Sequence, residues 1–354
     1  RCCRAPRIRS CRVFRASACR LSVDRLRDCH RRKRGCKLRT NSSMKVIITG
    51  GGGFLGSQLC LRLLERGELT GASGAPEPIE EMVLLDAHFP VPCDDPRVTQ
   101  TIGDISDRDS ILPLVADGPS TSVFHLASMV SGECEERFDD ALRVNLEGGR
   151  NVFEAARAAP GRPRVVFASS IACFGGEAME EVQTDATKHT PRTTYGVTKA
   201  ICELILNDHT RKGHFDGRTA RLPTVIIRPG KPNAAASSWA SGMFREPLNG
   251  EPCALPVRRT QQHPMTGYRT VVESFIALHE VPADVTEFTV DLKQSGSPML
   301  ISRRADSWWQ ASRKGKVQKD VCKVDGLREL TSRWAGIDSR SMWAMFQKKS
   351  PRQA

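Results

Sequence analysis

The chain has 354 residues, 39% hydrophobic and 26% charged, with a formal net charge of +13. No apolar run approaches the roughly 20 residues that cross a bilayer, and the length suffices for a sizeable core. The basicity sits at the ends: residues 1–43 hold 15 Lys and Arg against two Asp, residues 301–354 hold 13 against five acids, and residues 44–300 hold 25 against 33, which excludes a basic nucleic-acid surface across the body.

Residues 1–43 are Arg-rich, carry six of the 13 cysteines and precede the first methionine, Met44. They read as a disordered basic extension: an organellar transit peptide, a basic nucleic-acid-binding arm, or translated sequence outside the working protein. The other seven cysteines stand singly, with no Cys-x-x-Cys pair. That usage points to reduced, buried thiols in a cytoplasmic protein, or a mitochondrial one if the extension is a transit peptide, and not to disulfides or a metal site.

From Met44 onward, apolar β-branched runs alternate with helical patterns. Strands are expected at 45–49, 81–86, 98–104, 122–128, 164–170 and 219–227, and helices at 54–66, 107–116, 138–158 and 194–211. This predicts an α/β fold, a Rossmann-like doubly wound parallel sheet covered on both faces. The stretch "RPGKPNAAASSWASG" after residue 228 reads as a loop beyond a strand's carboxyl end, where ligands bind in open α/β sheets. A further helix is expected at 269–280, and no clear alternation follows.

The segment "ITGGGGFLG" sets Gly50, Gly53 and Gly56 after the first strand, with Phe54 and Leu55 opening the first helix. Glycines there permit a tight turn, close backbone approach to a pyrophosphate and close helix–strand packing. Asp86 ends the second strand, 30 residues past Gly56. A carboxylate at that point accepts from adenosine ribose hydroxyls and repels a 2′-phosphate, favouring NAD over NADP. Asp104, at the end of the third strand, suits an adenine contact or a turn-capping role. Ile105, Leu126 and Ala127 complete the expected cofactor contacts, and His125 in "FHLAS" is expected to be structural.

Tyr195 and Lys199 in "TTYGVTKA" are four apart and share a helix face. A nearby ammonium favours a phenolate, drawing a tyrosine pKa of about 10 toward neutrality, and an oxidised nicotinamide adds a second positive charge. The phenolate can then accept a hydroxyl proton from a substrate. Ser169 and Ser170 end a strand, Ser170 lying 25 residues before Tyr195, where a hydroxyl can hold the substrate oxygen.

In the order glycine fingerprint, Asp86, "HLAS", Ser170 and Tyr-x-x-x-Lys, the chain resembles the extended short-chain dehydrogenase/reductase superfamily, the NAD-dependent epimerase/dehydratase family. The resemblance implies Ser170, Tyr195 and Lys199 as a catalytic triad, with Lys199 also touching the nicotinamide ribose and Asn145 making a supporting polar contact. It also implies a homodimer through the helix bearing Tyr195. "HLASMVSGECEERF", "SSIACFGG" and "RLPTVIIRPGKPNAAASSWASGMFREPLNGE" are similar to the D-erythronate dehydrogenase branch. That branch implies NAD-dependent oxidation of the 2-hydroxyl of a small four-carbon sugar acid to a 2-keto acid. The alternatives are a nucleotide-sugar epimerase or dehydratase with tightly held NAD, and a non-catalytic NAD-binding protein. For such a substrate Ser131, Asn233 and Ser237 offer neutral hydrogen bonds, while Arg228, Lys231 or Arg245 could neutralise a carboxylate. The expected partner is a small sugar acid, with neither nucleic acid nor membrane. The organisation expected is an NAD-binding part at 44–227, a substrate-binding part at 228–300 and an atypical basic tail at 301–354. The resemblance fades after residue 257 and ends near 300; the tail reads as sequence out of frame or as a lineage-specific addition.

Overall fold

Val46 and Ile48 project to one side of the first strand and Ile47 to the other, and all three are buried. A strand with no solvent face must be covered twice. It is β1 (Met44–Thr49) in a computed structural model that describes residues 43–116, 120–177, 183–184, 187–258, 263–282 and 300–302. The basic extension and nearly all of the basic tail lie outside the described residues.

After β1 come α1 (Phe54–Arg66), β2 (Glu68–Thr70), β3 (Pro76–Asp86), β4 (Val98–Ile102), α2 (Arg108–Ala116) and β5 (Thr121–His125). Next are α3 (Ser131–Glu136), α4 (Phe138–Ala141), a π-helical turn (Leu142–Glu147), α5 (Gly148–Ala158), β6 (Arg164–Ser170) and a 3₁₀ turn (Ile171–Cys173). The chain continues through α6 (Thr194–Arg211), β7 (Asp216–Leu222), β8 (Thr224–Ile226), α7 (Ser238–Leu248), β9 (Met265–Gly267), α8 (Tyr268–Glu280) and β10 (Leu300–Ser302).

Parallel pairing gives the order β4-β3-β1-β5-β6-β7. This is the doubly wound arrangement, in which the chain switches direction between β1 and β5 and opens a crevice at the carboxyl ends of those strands. Side-chain alternation feeds two cores. On one face Val46, Ile48, Phe124 and Val166 pack with α1 and α8 through Leu59, Leu63, Val271 and Phe275. On the other, Ile47, Val123, Val165 and Phe167 pack with α2, α5 and α6 through Ile111, Val152, Phe153 and Leu206. Burying a side chain such as Phe153 or Phe275 contributes roughly 1.5–3 kcal/mol.

Four local expectations are corrected. The strand expected at 81–86 begins earlier, at Pro76 of β3, and its first residues pair antiparallel with β2 as a hairpin. The helix expected at 138–158 is interrupted by the π-helical turn and preceded by α3. The strand expected at 219–227 starts at Asp216 and divides at Pro223, which has no N–H for a ladder; β8 leaves the main sheet to pair with β9. Residues 238–242, expected as the end of a loop, open α7, whose small Ala240, Ser241 and Gly242 are buried. Beyond the expected elements, β10 adds an antiparallel edge to β7.

The described cysteines Cys60, Cys93, Cys134, Cys173, Cys202 and Cys253 are free thiols, four of them buried. Among the described residues no helix is long and apolar enough to cross a membrane, and no cluster of three or more His, Cys, Asp or Glu could hold a metal ion.

Candidate active site

At the crevice, the chain leaves β1 through Gly50, whose φ of 75° lies in the left-handed region. A Cβ there would lie 2.7 Å from the Ala127 nitrogen and 2.9 Å from the Leu126 carbonyl carbon. The loops after β1 and β5 therefore meet backbone to backbone. Gly56 is tighter still, since a Cβ would stand 2.1 Å from the Gly50 oxygen. Gly53 is the N-cap of α1 and no side chain caps that helix, so first-turn N–H groups at Phe54 and Leu55 are presented to whatever anion fills the crevice.

Asp86 leans over this turn. Its Oδ2 accepts from the Gly52 N–H at 3.0 Å and its Oδ1 from the His88 N–H at 3.4 Å, leaving lone pairs for ribose hydroxyls. A cradle that side chains would fill, a free helix N-terminus and a carboxylate at the end of β3 together fit a dinucleotide. Asp104 caps a turn instead of facing the crevice freely: it accepts from the Ser106 N–H at 2.9 Å and hydroxyl at 2.7 Å and pairs with Arg143. Ile105 is buried against Gly148.

His125 is held between β1 and β6, bonded to the Thr49 hydroxyl at 2.7 Å and stacked on Phe167 with centroids 5.4 Å apart. Burial pushes its pKa down to about 3, so it is a neutral structural group. Asn145 sits in the π-helical turn, a feature frequent near functional sites. Its Oδ1 accepts from the Met129 N–H at 2.7 Å and its Nδ2 donates to the Met129 carbonyl at 3.3 Å, clasping the loop after β5.

Period-two alternation sends Ser169 and Ser170 to opposite faces of β6. Ser169 is buried and donates to Glu203. Ser170, at the strand's carboxyl end, accepts from the Ala172 N–H at 3.1 Å and interacts with the Tyr195 phenol, favouring its ionised form. Tyr195 reaches that point because α6 comes very close to the 3₁₀ turn. A Cβ on Gly196 would lie 2.1 Å from the Ala172 oxygen, and Thr193 caps the helix by accepting from the Gly196 N–H at 3.1 Å. Lys199 is buried, donates to the Ala168 carbonyl at 2.9 Å, and stands 5.5 Å from the Tyr195 ring centroid.

The electrostatics differ from the expectation. Burial pushes the Tyr195 phenol up to about 12, with Ser170 opposing, and burial pulls Lys199 down to about 8. For the phenol, desolvation outweighs the hydrogen bond with Ser170.

The loop after β8 covers this end. Ser131 accepts from the Ala236 N–H at 2.9 Å, and a Cβ on Gly132 would lie 2.0 Å from the Ala234 oxygen, so α3 supports the loop. Asn233 is half-buried, with its N–H donating to Ser238 Oγ at 3.3 Å, and Ser237 precedes α7 as its N-cap. Arg228 is half-buried and donates from Nη1 to the Lys231 carbonyl at 2.8 Å, while Lys231 is exposed. Arg245, expected as one candidate for a carboxylate, is buried, bonded to the Arg228 carbonyl at 2.9 Å and paired with Glu246; its charge is already used.

Two groups at this end escaped the sequence reading. Glu135 accepts from the Thr194 N–H at 2.8 Å, tying α3 to the start of α6. Glu203 lies fully buried beneath Ser169; its signal is the row Tyr195, Lys199, Glu203 at four-residue steps along one helix face.

A model of the NAD dependent epimerase/dehydratase family matches residues 46–289. The chain belongs to that family. A D-erythronate dehydrogenase from Cupriavidus necator is 50% identical over 214 residues, covering 60% of this chain and 65% of the relative. One from Haemophilus influenzae is 40% identical over 241 residues, covering 68% and 73%. The chain thus spans about two thirds to three quarters of the lengths of these relatives. Among solved structures, a nucleoside-diphosphate-sugar epimerase from Agrobacterium tumefaciens is similar, with a TM-score of 0.62 and 38% identity over 69% of this chain and 71% of that one. A GalE-like L-threonine dehydrogenase from Cupriavidus necator in its holo form is also similar, with a TM-score of 0.59 and 27% identity over 68% and 74%. The family's doubly wound fold is the one described above.

Proposed function

We propose that this chain is an NAD-dependent dehydrogenase that oxidises the 2-hydroxyl of a small sugar acid of the D-erythronate kind to the 2-keto acid. The observation that carries the reading is the meeting of Ser170, Tyr195 and Lys199 at the carboxyl edge of the sheet, beside the Gly50–Gly56 cradle. The similarity to two D-erythronate dehydrogenases selects the substrate class.

Gly50, Gly53, Phe54, Leu55, Gly56, Asp86, Leu126 and Ala127 hold the cofactor in this reading, with Ile105 and Asp104 behind them. Bound there, NAD supplies the acceptor for the hydride leaving carbon 2 and, when oxidised, a positive charge near the phenol. Tyr195 ionises and takes the hydroxyl proton as the carbonyl forms. Ser170 donates to the same substrate oxygen and fixes its lone pairs. Lys199 keeps an ammonium behind the phenolate. Ser131, Asn233 and Ser237 bond the remaining hydroxyls, and Arg228 or Lys231 neutralises the carboxylate, Arg245 being engaged elsewhere. In this reading the protein works in the cytoplasm as a homodimer through α6, whose Val197 and Leu204 are exposed along with nearby Phe138.

D-erythronate with NAD is expected to yield NADH, followed by its absorbance, with a loss of about 10²–10⁴-fold in Tyr195→Phe. Absence of NADH from the parent chain with every four-carbon and five-carbon sugar acid would sink the reading. The similarity to a nucleoside-diphosphate-sugar epimerase favours a second one, in which NAD stays bound and no net NADH is released; purified protein carrying one NAD per chain and interconverting a nucleotide-sugar would support it.

A further inference from the structure

Beneath Ser170, on the face of β6 that carries Ser169, lies a polar cluster that no step above uses. The side chains of Glu203 on α6 and Arg221 on β7 are both fully buried. Arg221 donates from Nε to Glu203 Oε2 at 3.0 Å and Oε1 at 3.2 Å, and from Nη2 to Oε2 at 2.8 Å. Oε1 also receives the Ser169 hydroxyl and faces the Cys173 thiol at 3.5 Å. Ser169 and Arg221 are register neighbours, so one carboxylate grips two adjacent strands and the 3₁₀ turn together. One helical turn earlier, Lys199 donates to Ala168. Helix α6 is therefore fastened to Ala168 and then to Ser169, and the next residue of the strand is Ser170.

Stability alone does not account for such a pair. Apolar residues of similar size often serve a buried site as well or better, whereas loss of one partner alone costs about 3–5 kcal/mol. What several directed hydrogen bonds do supply is a fixed register between helix and strand.

We infer that Glu203 is a positioning residue: by gripping Ser169 and Arg221 it sets the Ser170 hydroxyl against the Tyr195 phenol, and it holds a negative charge behind the Lys199 ammonium. The inference rests on the dehydrogenase reading above. The groups facing Lys199 are Tyr195, Cys202 and Glu203 on its own helix, His125 on β5, Phe167 and Ala168 on β6, Cys173 on the 3₁₀ turn and Cys134 on α3. Burial raises all three thiols, Cys173 to about 12 and Cys202 to about 11, and keeps them neutral. Glu203 thus opposes the burial that pulls Lys199 down.

The test uses the full chain with NAD. Glu203→Gln removes the carboxylate charge that Arg221 grips, so Glu203→Met combined with Arg221→Met is made beside it as a packed apolar replacement. Two measurements are taken: NADH formation from the sugar acid across pH, and the ultraviolet tyrosinate titration of the NAD complex, corrected for Tyr268 with Tyr195→Phe. Folded variants are expected to bind NAD within about twofold of the parent while kcat drops about tenfold or more. The alkaline limb of the rate profile moves about one unit lower as Lys199 loses its proton earlier, and the Tyr195 titration moves higher. A folded double variant with unchanged kcat, alkaline limb and Tyr195 titration overturns the inference. A parent chain that forms no NADH fails the dehydrogenase reading instead. The tyrosinate titration needs no substrate and still decides the part played by Glu203.

Discussion

At the end of β1 the chain shapes its crevice by leaving side chains out. Gly50 and Gly56 let three backbone segments approach to distances that a single methyl would forbid. At the end of β6 the work is done by long side chains reaching across elements: Lys199 to Ala168, Glu203 to Ser169 and Arg221. The first region is sensitive to added volume and the second to removed or misplaced charge. A substitution in the first should act on cofactor affinity, and one in the second on rate.

Gly56→Ala makes the largest demand on this contrast. Its new Cβ would lie 2.1 Å from the Gly50 oxygen and 2.9 Å from the Gly51 Cα, and backbone cannot swing aside as a flexible side chain can. The helix must back away from the turn, an overpacking cost of about 1–3 kcal/mol. NAD affinity is expected to fall at least 100-fold, about 2.7 kcal/mol, by calorimetric titration. Tyr195→Phe, by contrast, should bind NAD within about threefold of the parent while losing turnover. A Gly56→Ala chain with parental affinity breaks the contrast.

One residue, His125, joins the two regions. His125 bonds Thr49 at the end of β1 and stacks on Phe167 of β6. Its folded pKa, pushed down to about 3 by burial, lies below the unfolded value of about 6.5. As pH falls between those values the unfolded chain takes up the proton first, so stability is full above about 6.5 and declines toward acid by about 1.4 kcal/mol per unit. His279, pulled down to about 4 by burial on the opposite face, adds to the same slope. At pH 5 each is expected to cost about 2 kcal/mol. In His125→Phe the slope of unfolding free energy against pH, read by denaturant titration, should flatten by about 1.4 kcal/mol per unit. An unchanged slope would show that water reaches the ring.

The two regions were also unequally legible in the sequence. The glycine turn is local: strand, Gly50, Gly53, Gly56 and helix are contiguous, so periodicity and composition suffice to place them. Asp86, Ser170 and Tyr195 could be assigned to strand ends and a helix face for the same reason. What spacing does not disclose is desolvation. The ammonium was expected to lower the Tyr195 pKa, yet burial raises it, because how much protein surrounds a phenol depends on Gly196 docking against Ala172 across the fold. Arg245 looked like a free cation until α7 formed and turned it onto Glu246 and the Arg228 carbonyl. That helix was hidden because Ser, Ala and Gly, which allow its close packing, are also loop residues. Glu203 went unread since its partners Ser169 and Arg221 lie 34 and 18 residues away in sequence.

Asp86 offers the smallest effect and the sharpest cut between the regions, for it is the side chain that the cofactor end does employ. Its Oδ2 already accepts from Gly52, so Asp86→Asn keeps an acceptor at the turn and removes only the charge. A charge-assisted bond to a ribose hydroxyl exceeds its neutral counterpart by about 1 kcal/mol, so NAD affinity is expected to fall about five- to tenfold. The repulsion of a 2′-phosphate is lost in the same step. The ratio of NAD to NADP affinity should therefore narrow by more than the loss in NAD binding alone, with kcat at saturating NAD held within about twofold. An Asp86→Asn chain that keeps the parental ratio would place the carboxylate outside ribose recognition and leave it as a brace for the glycine turn. One that loses kcat would show that the crevice and the Ser170 end are mechanically coupled, through the His125 contact that spans them.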